Sequence, residues 1–464
     1  MQRGIGMWSI LYYLRNDPEK LRWSQRVRGE STEVVDRALE LDTEWRRLRA
    51  EIDKLRHERN VLASRIAKAT HEERRALIEE ARRLDQALNE AERRLQKVEE
   101  ERDRILRSIP NIVHESVPIG RGEEDNVPVR FWGKPRVWVG YLESFKLQTK
   151  GYDVDYELID WKPLGHADYS EGSMLIDTLR AGKVAGARFY YMFDDFVWLE
   201  LALVMYALDH LAKKGFRLVI PPYMLRRKPL EGVISFLDFE DMVYKIEGED
   251  LYLIATAEHP LASLHMDETI PRDELPLLYA GLSPCFRKEA GAHGKDTKGI
   301  FRVHQFTKVE QFVYCLPDES WEWHERLIRN AEELFQGLGI PYRVVNVCSG
   351  DLGVVAAKKY DLEAWMPAQG KYREMVSCSN TTDYQSYRLN IRFAKAKGAP
   401  AEGYVHTLNS TAIATTRAIT AIVENYQEPD GTVRIPPVLR RYLEVFERAP
   451  KDYIEPRNRS QHAT

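Results

Sequence analysis

A long stretch from Thr32 to Ile109 contains neither glycine nor proline, and its apolar residues recur at alternating spacings of three and four. This heptad spacing places apolar side chains along one stripe of a helix and is typical of helices that pair as coiled coils. A first apolar seam comprises Ala38, Leu41, Trp45, Leu48, Ile52, Leu55, Leu62, Ile66 and Ala69. A second comprises Leu77, Ala81, Leu84, Leu88, Ala91, Leu95, Val98, Ile105 and Ile109. The pattern breaks at Thr70-His71, which predicts an antiparallel helical hairpin.

The two seams also predict the register of this hairpin. Folding the chain about residue 70 pairs Trp45 with Leu95, Leu48 with Ala91, Ile52 with Leu88, and Leu55 with Leu84. The same register sets Arg59 opposite Ala81 and Arg102 opposite Ala38, so each arginine stem has room to cross the seam and reach water. Limbs of roughly 38 residues should project by about 55–60 Å.

The surface of the hairpin leaves two functions open. Its acidic and basic side chains are nearly balanced, which suits a dimerisation rod with a salt-bridged surface. Its basic residues are mostly arginine, which suits contact with RNA phosphates. Charge alone does not decide between a rod and an RNA-contacting arm.

Composition limits the classes of protein to consider. The chain has 464 residues and a net charge of −4, so any affinity for nucleic acid must come from local patches. The four cysteines are far apart and form no C-x-x-C pair, which argues against a disulfide framework and fits a reducing compartment. The apolar run Met7–Leu14 is too short to span a membrane. We expect a soluble protein of the cytoplasm.

Three regions follow from the composition along the chain. Residues 1–109 form an N-terminal domain in which a small capping element, 1–31, precedes the hairpin, and the Pro- and Gly-rich segment 110–135 is a linker and strand lead-in. Residues 136–464 mix helices and strands without a regular βαβ rhythm. Helices are predicted at Ser173–Ala181, Asp195–Lys214 and Ala412–Tyr426, and a buried strand at Phe216–Ile220. This mixture favours an α+β domain, an antiparallel sheet with helices outside it.

The stretch Phe286–Phe312 is the predicted centre of the chemistry. It has the pattern of two strands joined by a Gly-containing loop, with strand-like alternation resuming at Ile300. Alternate residues of a strand share a face, so one face carries Arg302, His304, Phe306, Lys308 and Glu310, and Arg287 and Glu289 share a face of the incoming strand. Such a surface can hold a phosphate, stack a purine and bind an ammonium group. The alternative is a solvated hairpin with ordinary cross-strand ion pairs.

Several segments in this order resemble one family. The linker carries PNIVHESVPIG and EEDNV, and GFRLVIPPYM is similar to the class II motif 1 with its proline. FRKEAGAHGKDTKGIFRVHQFTKVEQF is similar to motif 2, and HTLNSTAIATTRAITAIVENYQ to motif 3. With TAE at Thr256–Glu258 and EMVSCSN at Glu374–Asn380, nearly the whole chain resembles seryl-tRNA synthetase, a class II aminoacyl-tRNA synthetase.

The resemblance implies a set of ATP-binding residues. The expected ATP-binding residues are Arg287, Lys288, Glu289, Val303, Phe306, Glu374, Met375, Val376, Ser377 and Arg417. Arg287 matches the arginine that grips the α-phosphate and the serine carboxylate, Phe306 the ring that stacks on adenine, and Arg417 the arginine at the γ-phosphate. Glu374 and Ser377 match the oxygen ligands that hold Mg²⁺ against the phosphates. Arg287, Arg417 and Glu374 are therefore the expected catalytic residues, and His304 is expected to be structural.

The resemblance also implies a serine pocket. The expected serine-binding residues are Thr256, Ala257, Glu258, Arg287, Glu310 and Thr411. The chain reads Asn409-Ser410-Thr411 where many relatives have Asn-Gly-Ser, and Thr411 keeps a hydroxyl at the third place.

The implied activity is ATP-dependent formation of seryl-adenylate, followed by transfer of serine to tRNA(Ser), and to tRNA(Sec) where the cell has one. The implied architecture is a homodimer whose helical arm reaches a tRNA bound mainly to the other subunit, with no membrane partner. Two alternatives are a related ligase that loads a carrier protein and a non-catalytic coiled-coil interaction protein. Such ligases lack the long arm, and a scaffold has no need of Arg287, Glu310, Glu374 and Arg417.

Overall fold

The computed structural model describes residues 8–234, 242–289, 296 and 298–456 of the chain. The described residues form two compact units, divided between Ile112 and Val113. In the first unit the helices are α1 Ser9–Asn16, α2 Pro18–Arg28, α3 Glu33–Lys68 and α4 His71–Ser108. The two long helices confirm the predicted hairpin, and the short pair α1 and α2 occupies the segment expected to form a capping element.

The turn of the hairpin is encoded locally. Thr70 lies between α3 and α4 and forms a capping box with Glu73: the Thr70 hydroxyl donates to the Glu73 carboxylate at 2.7 Å, and the Thr70 amide donates to it at 3.1 Å. A capping box satisfies amides that a helix N-terminus otherwise leaves without partners. Helix α4 therefore starts where the heptad pattern breaks.

The packing between the limbs follows the predicted register. Trp45 packs in one apolar cluster with Leu95, and Ile52 shares the next cluster with Leu88. Ion pairs flank this seam, among them Arg37–Glu101 at 2.6 Å, Glu44–Arg94 at 2.5 Å and Arg56–Glu92 at 2.8 Å. Cross-limb pairs of this kind confirm the antiparallel arrangement, although each exposed pair contributes little to stability.

One expectation about the seam is wrong. Arg102 does not cross the seam to water: it is buried, and its Nε and Nη2 donate to Asp42 at 2.9 and 2.8 Å. Arg15 of α1 donates to the same fully buried carboxylate at 2.8 Å through two nitrogens. The heptad pattern could not reveal this because Asp42 lies beside the seam and Arg15 lies outside the hairpin. Arg59, by contrast, keeps half of its side chain exposed.

The second unit is built on one large sheet. Its strands are β1 Val127–Trp132, β2 Arg136–Trp138, β3 Glu157–Ile159, β4 Ile176–Asp177, β5 Tyr191–Met192, β6 Arg217–Val219, β7 Met224–Leu225, β8 Tyr252–Leu253, β9 Thr269–Pro271, β10 Leu277–Phe286, β11 Gln305–Cys315, β12 Tyr342–Asn346, β13 Lys358–Met366, β14 Lys371–Thr382, β15 Arg392–Ala394, β16 Ala401–Tyr404, β17 His406–Ala414, β18 Val433–Arg434 and β19 Tyr453–Ile454. Among the described residues, eight strands pair in the order β1-β12-β13-β14-β17-β11-β10-β6. All neighbours in this sheet are antiparallel except β10 and β6.

Helices cover one face of the sheet. The helices of this unit are α5 Leu142–Gln148, α6 His166–Gly172, α7 Thr178–Val184, α8 Asp195–Lys213, α9 Arg227–Val233, α10 Glu258–Ser263, α11 Ser320–Gly337, α12 Tyr384–Leu389, α13 Thr415–Tyr426 and α14 Pro437–Leu443. Apolar residues of α8, α11 and α13 form the main core with alternate residues of β11, β13, β14 and β17. The predicted α+β architecture is confirmed. The intervening strand residues face the other way, which is where the site lies.

Some predicted elements need correction. The helix predicted at Ser173–Ala181 is wrong: Leu175 and Ile176 are buried, Ile176 begins β4, and α7 starts only at Thr178, where Asp177 accepts a hydrogen bond from the Arg180 amide. The helix predicted to begin at Ala412 begins at Thr415, because the preceding residues continue β17.

Two further segments differ in their surroundings. The strand predicted at Phe216–Ile220 exists as β6 but is not buried, since Leu218 is 48% and Ile220 71% exposed. A strand at the edge of a sheet has one side free of a partner strand. Within the predicted linker 110–135, residues Val127–Trp132 form the opposite edge strand, β1. Helix α8, predicted at Asp195–Lys214, ends one residue earlier.

The described helices include none that is both long and apolar enough to cross a membrane. The four cysteines, Cys285, Cys315, Cys348 and Cys378, are buried free thiols. Their burial agrees with the expectation that they form no disulfide framework.

Candidate active site

The hairpin of β10 and β11 supplies the centre of the site. Its strands pair from Leu277↔Tyr314 to Phe286↔Gln305, so strand geometry resumes at Gln305 and not at Ile300 as predicted. The chain bends before Gln305, where the consecutive residues Ile300 and Phe301 both pack into the core, as Val303 does. His304 closes the end of the ladder: its Nδ1 lies 2.7 Å from the Arg287 carbonyl, and its own carbonyl accepts from the Arg287 amide at 2.9 Å.

A cavity of about 430 Å³ lies on the face of this hairpin and the adjoining strands that points away from the main core. Of the predicted site residues, the cavity is lined by Thr256, Glu258, Arg287, Phe306, Glu310, Glu374, Met375, Ser377, Thr411 and Arg417. These residues come from segments far apart in sequence. The sheet brings them together because β11, β14 and β17 are neighbours.

At one part of the cavity, an arginine lies against an aromatic ring. The guanidinium of Arg287 lies 5.3 Å from the centre of the Phe306 ring, and its Nε donates to the Ala255 carbonyl at 3.2 Å. A planar cation held in this way can bind two oxygens of a phosphate or carboxylate, and the half-buried ring offers its cavity side to a second flat group.

A buried ion pair occupies another part of the cavity wall. Lys308 and Glu310, two residues apart on β11, are paired, and their side chains are only 7% and 2% exposed. The Thr256 hydroxyl donates to the same oxygen of Glu310 at 3.4 Å. Carboxylates placed here can receive an ammonium group, since a buried charge needs a charged or hydrogen-bonding partner.

Glu258 is the second carboxylate of this region. Its Oε1 accepts hydrogen bonds from Gln385 Nε2 at 2.8 Å and Asn409 Nδ2 at 2.9 Å. Burial, and then the neighbouring charge of Glu310, raise the pKa of Glu258 from 4.5 to about 7. Two neighbouring carboxylates can together bind one cation.

A glycine lets the helix that carries Glu258 approach the sheet. Gly281 of β10 pairs with Glu310 across the ladder. A Cβ at this position would lie 2.8 Å from Leu261 Cδ1 and 2.9 Å from Ala257 Cβ, both on the segment that forms α10. Any larger residue would therefore push α10, and Glu258 with it, away from Glu310.

Near the mouth of the cavity, Arg417 of α13 donates to Glu374 of β14 through Nη1 at 3.0 Å, to both the carboxylate and the main-chain carbonyl. The Glu374 side chain remains 45% exposed. Removal from water acts to raise the pKa of Glu374, but Arg417 and Lys359 outweigh it and hold the pKa below its ordinary value. Glu374 is therefore charged at neutral pH and available to a cation.

A hydroxyl and a second carboxylate lie beside Glu374. Ser377 lines the cavity and is the direct partner of Asp361 across β13 and β14. Burial raises the pKa of Asp361 to about 7, an effect that Lys359 opposes. The cluster consists of oxygen donors, which suits a hard divalent cation such as Mg²⁺.

Five predicted residues do not line the cavity. Ala257, Val303 and Val376 are buried in the core, while Lys288 and Glu289 lie beyond the end of β10. Glu289 is paired with Arg302 at 2.8 Å. Main-chain contacts of these residues with a ligand remain a prediction. The loop Ala290–Gly299 lies mostly outside the described residues.

The cavity is also lined by residues for which no role was predicted. Lys308, Lys359, Ser379, Thr381 and Asn409 all line it. Lys308 could have been found, because it shares a strand face with Phe306 and Glu310. Gln385, which holds Glu258, carries no recognisable signal, since only the packing of α12 brings it near.

Comparison with known proteins identifies the family. Residues 11–113 match the profile of the seryl-tRNA synthetase N-terminal domain, and residues 242–426 match that of the tRNA synthetase class II core domain (G, H, P, S and T). A serine–tRNA ligase of Hyperthermus butylicus is 64% identical over 453 residues, which cover 97% of this chain and 98% of that protein. The chain belongs to the seryl-tRNA synthetase family. A serine–tRNA ligase of Archaeoglobus fulgidus is 62% identical over 97% of this chain and 99% of its own length.

Solved structures agree with this assignment. The crystal structure of the Pyrococcus horikoshii seryl-tRNA synthetase complexed with ATP superposes with a TM-score of 0.92 at 56% identity, over 97% of this chain and 100% of that one. The cytoplasmic serine–tRNA ligase of Naegleria fowleri in complex with AMP gives 0.81 at 39% identity, over 96% of both chains. The helical arm and the antiparallel class II synthetase core are thus those of the seryl-tRNA synthetase family.

Proposed function

We propose that this member of the seryl-tRNA synthetase family is a serine–tRNA ligase that works in two steps. The serine carboxylate attacks the α-phosphorus of ATP, a new P–O bond forms, and the bond to the pyrophosphate breaks. The terminal adenosine hydroxyl of tRNA(Ser) then attacks the carbonyl of the seryl-adenylate and AMP leaves. The observation that carries this proposal is the convergence of Arg287, Phe306, Glu258 and Glu310 on one cavity.

The first step needs two anions held together. Arg287 lies where it can bridge the serine carboxylate and the α-phosphate, and Phe306 offers its ring to adenine. We assign Arg417, which donates to Glu374 at 3.0 Å, to the terminal phosphates. Preorganised donors of this kind stabilise charge that develops in the transition state, so no side chain need act as a nucleophile.

Recognition of serine follows from the polar residues around Glu310. We assign the amino group to Glu310, Glu258 and Thr256, and the neighbourhood of the side-chain hydroxyl to Thr411, which pairs directly with Glu310 across β11 and β17. A site built to hydrogen-bond a hydroxyl rejects an analogue without it, since its buried polar groups would be left without partners. Alanine should therefore be a poor substrate.

Glu374 and Ser377 are the residues that we propose hold Mg²⁺ with ATP. A bound Mg²⁺ would neutralise charge on the phosphates. The carboxylate of Glu374 and the hydroxyl of Ser377 both face the cavity, and hard oxygen donors fit this ion.

Transfer to tRNA is assigned to the helical arm and to a homodimer. The arm formed by α3 and α4 would contact the tRNA by shape and phosphates, and we extend the proposal to tRNA(Sec) where the cell has one. Support for dimerisation comes from an apolar ridge on α8, where Val197, Leu201 and Met205 are 40%, 48% and 55% exposed. Ridges of this kind mark interfaces in soluble proteins. We place the enzyme in the cytoplasm.

The decisive experiment is ATP–pyrophosphate exchange with each amino acid in turn, followed by loading of total tRNA with labelled serine. We expect exchange with serine alone and formation of seryl-tRNA. Exchange driven by glycine or alanine but not by serine would refute the substrate, and transfer to a carrier protein instead of tRNA would favour the rival ligase.

A further inference from the structure

Asp361 is a buried carboxylate beside the proposed Mg²⁺ residues for which neither the sequence nor the family profiles gave a role. It lies on β13 directly opposite Ser377 of β14 and is 6% exposed. Residues paired in this way across antiparallel strands have Cβ atoms about 4.5–5.5 Å apart. This register sets the side chain of Ser377 next to the Asp361 carboxylate.

Among the described residues, Asp361 Oδ1 is buried and has no hydrogen-bond partner. A buried carboxylate oxygen without a partner is costly, because it loses water and gains nothing in exchange. The nearest cation on its own strand is Lys359, whose Nζ donates to the Asp351 carbonyl at 3.1 Å.

The neighbouring carboxylate provides a contrast. Glu363 follows Asp361 by two residues on β13 and is equally buried, but Arg343 of β12 donates to it at 2.5 Å. Glu363 is therefore committed to a structural ion pair. Asp361 is the carboxylate whose hydrogen bonding is incomplete without a further group.

We propose that Asp361 is a positioning residue for the divalent cation that accompanies ATP. By accepting the Ser377 proton, it turns the lone pairs of that hydroxyl towards the cavity, and its free oxygen can accept from a cation-bound water. Groups that orient metal ligands in this way typically change metal affinity about 10–100-fold when removed. The proposal rests on the assignment of Glu374 and Ser377 to Mg²⁺.

The test measures metal binding, not catalysis. Mn²⁺ is titrated into the full-length protein with α,β-methylene-ATP, a non-reactive ATP analogue, and free Mn²⁺ is followed by electron paramagnetic resonance. We expect Asp361→Asn to weaken Mn²⁺ binding at least about tenfold, because an amide can donate to Ser377 and reverse the hydroxyl. The control is Glu332→Gln, which removes a buried carboxylate that pairs with Arg130 and does not line the cavity, and it should change Mn²⁺ binding less than about twofold. If Asp361→Asn folds poorly, as judged by its melting temperature, Asp361→Ser serves as the second variant.

A structural role for Asp361 predicts a different outcome. If Asp361 acts on the cation, Asp361→Asn should bind the ATP analogue without metal as tightly as the unmodified protein does, whereas a structural defect would weaken metal-free binding as well. Unchanged Mn²⁺ affinity in Asp361→Asn, or equal loss of metal-free nucleotide affinity, would overturn the proposal. Unchanged Mn²⁺ affinity in Ser377→Ala would overturn it too, while serine-dependent exchange would show that the proposed function stands.

Discussion

Arg287, one residue past the end of β10, and Phe306 of β11 form a cation–π pair with 5.3 Å between the guanidinium carbon and the ring centre. Both side chains line the cavity, so the pair offers a bidentate cation and an aromatic surface at one place. Attractions of this kind contribute about 0.5–2 kcal/mol. The pair therefore holds the arginine in place before a ligand arrives.

Replacing Arg287 by alanine should cost at least about 3 kcal/mol of transition-state stabilisation, by analogy with the loss of a donor to developing negative charge. The measurement is kcat/KM for serine-dependent ATP–pyrophosphate exchange. The control is Arg326→Ala, which removes an arginine that is 53% exposed on α11 and should leave exchange unchanged. Exchange within about twofold of normal in Arg287→Ala would mean that another group binds the α-phosphate.

The raised pKa of Glu258 predicts a pH-dependent stability. Because its pKa rises from 4.5 to about 7 on folding, the folded state holds this proton more tightly and loses relative stability as the pH rises through that window. Glu258→Gln, which cannot ionise, should melt at the same temperature as the unmodified protein near pH 4.5 and higher at pH 8. The difference should be worth no more than about 3 kcal/mol.

Differential scanning calorimetry from pH 4.5 to pH 8 checks this expectation. The matched control is Glu249→Gln, at an exposed position. Its melting temperature should differ from that of the unmodified protein by the same amount at every pH. A constant difference for Glu258→Gln across the range would contradict a raised pKa.

The buried cluster at the base of the hairpin should dominate the stability of the first unit. Asp42→Ala leaves Arg102 and Arg15 without their shared carboxylate and should cost about 3–5 kcal/mol, measured by chemical unfolding of the full chain followed by helix content. Asp85→Ala removes only the exposed pair with Arg59 at 3.9 Å and should cost less than about 1 kcal/mol. Equal costs would rule out the cluster as the anchor.

A shortened arm should separate the two steps of the reaction. Ile52 and Leu88 pack in one cluster, so residues 53–87 can be replaced by a short glycine linker without disturbing Asp42 and Arg102. We expect serine-dependent exchange to remain while loading of tRNA falls by more than tenfold. Parallel loss of both activities would argue that the distal arm does not act on tRNA.

The apolar ridge on α8 should hold the homodimer together. Leu201→Asp combined with Met205→Glu places two charges where 48% and 55% of the original side chains are exposed, and should convert a dimer to a monomer in sedimentation velocity. Leu147→Glu alters a residue that is 73% exposed on α5 and serves as the control. A dimer that survives the double substitution would place the interface elsewhere.

Features that depend on residues close together in the sequence were predicted correctly, and features that depend on contacts between distant segments were not. The hairpin, its register and its turn at Thr70 follow from heptad spacing and a capping pair only three residues long. The helix expected at Ser173–Ala181 failed because the burial of Leu175 and Ile176 against other segments outweighs local helix propensity. The resemblance to the family predicted many of the residues that line the cavity. It predicted no role for Lys308 or for Asp361.

By itself, the sequence determined the helical arm, the α+β class and the residue types of the site, since these depend on periodicity and on short motifs. The tertiary structure alone decided which charges meet. Arg102 reaches Asp42 and not water, and Lys308 neutralises Glu310, because strand pairing and helix packing bring distant residues together. Strand pairing likewise sets Asp361 opposite Ser377. A buried charge is stable only beside its partner, and the identity of that partner is a property of the fold.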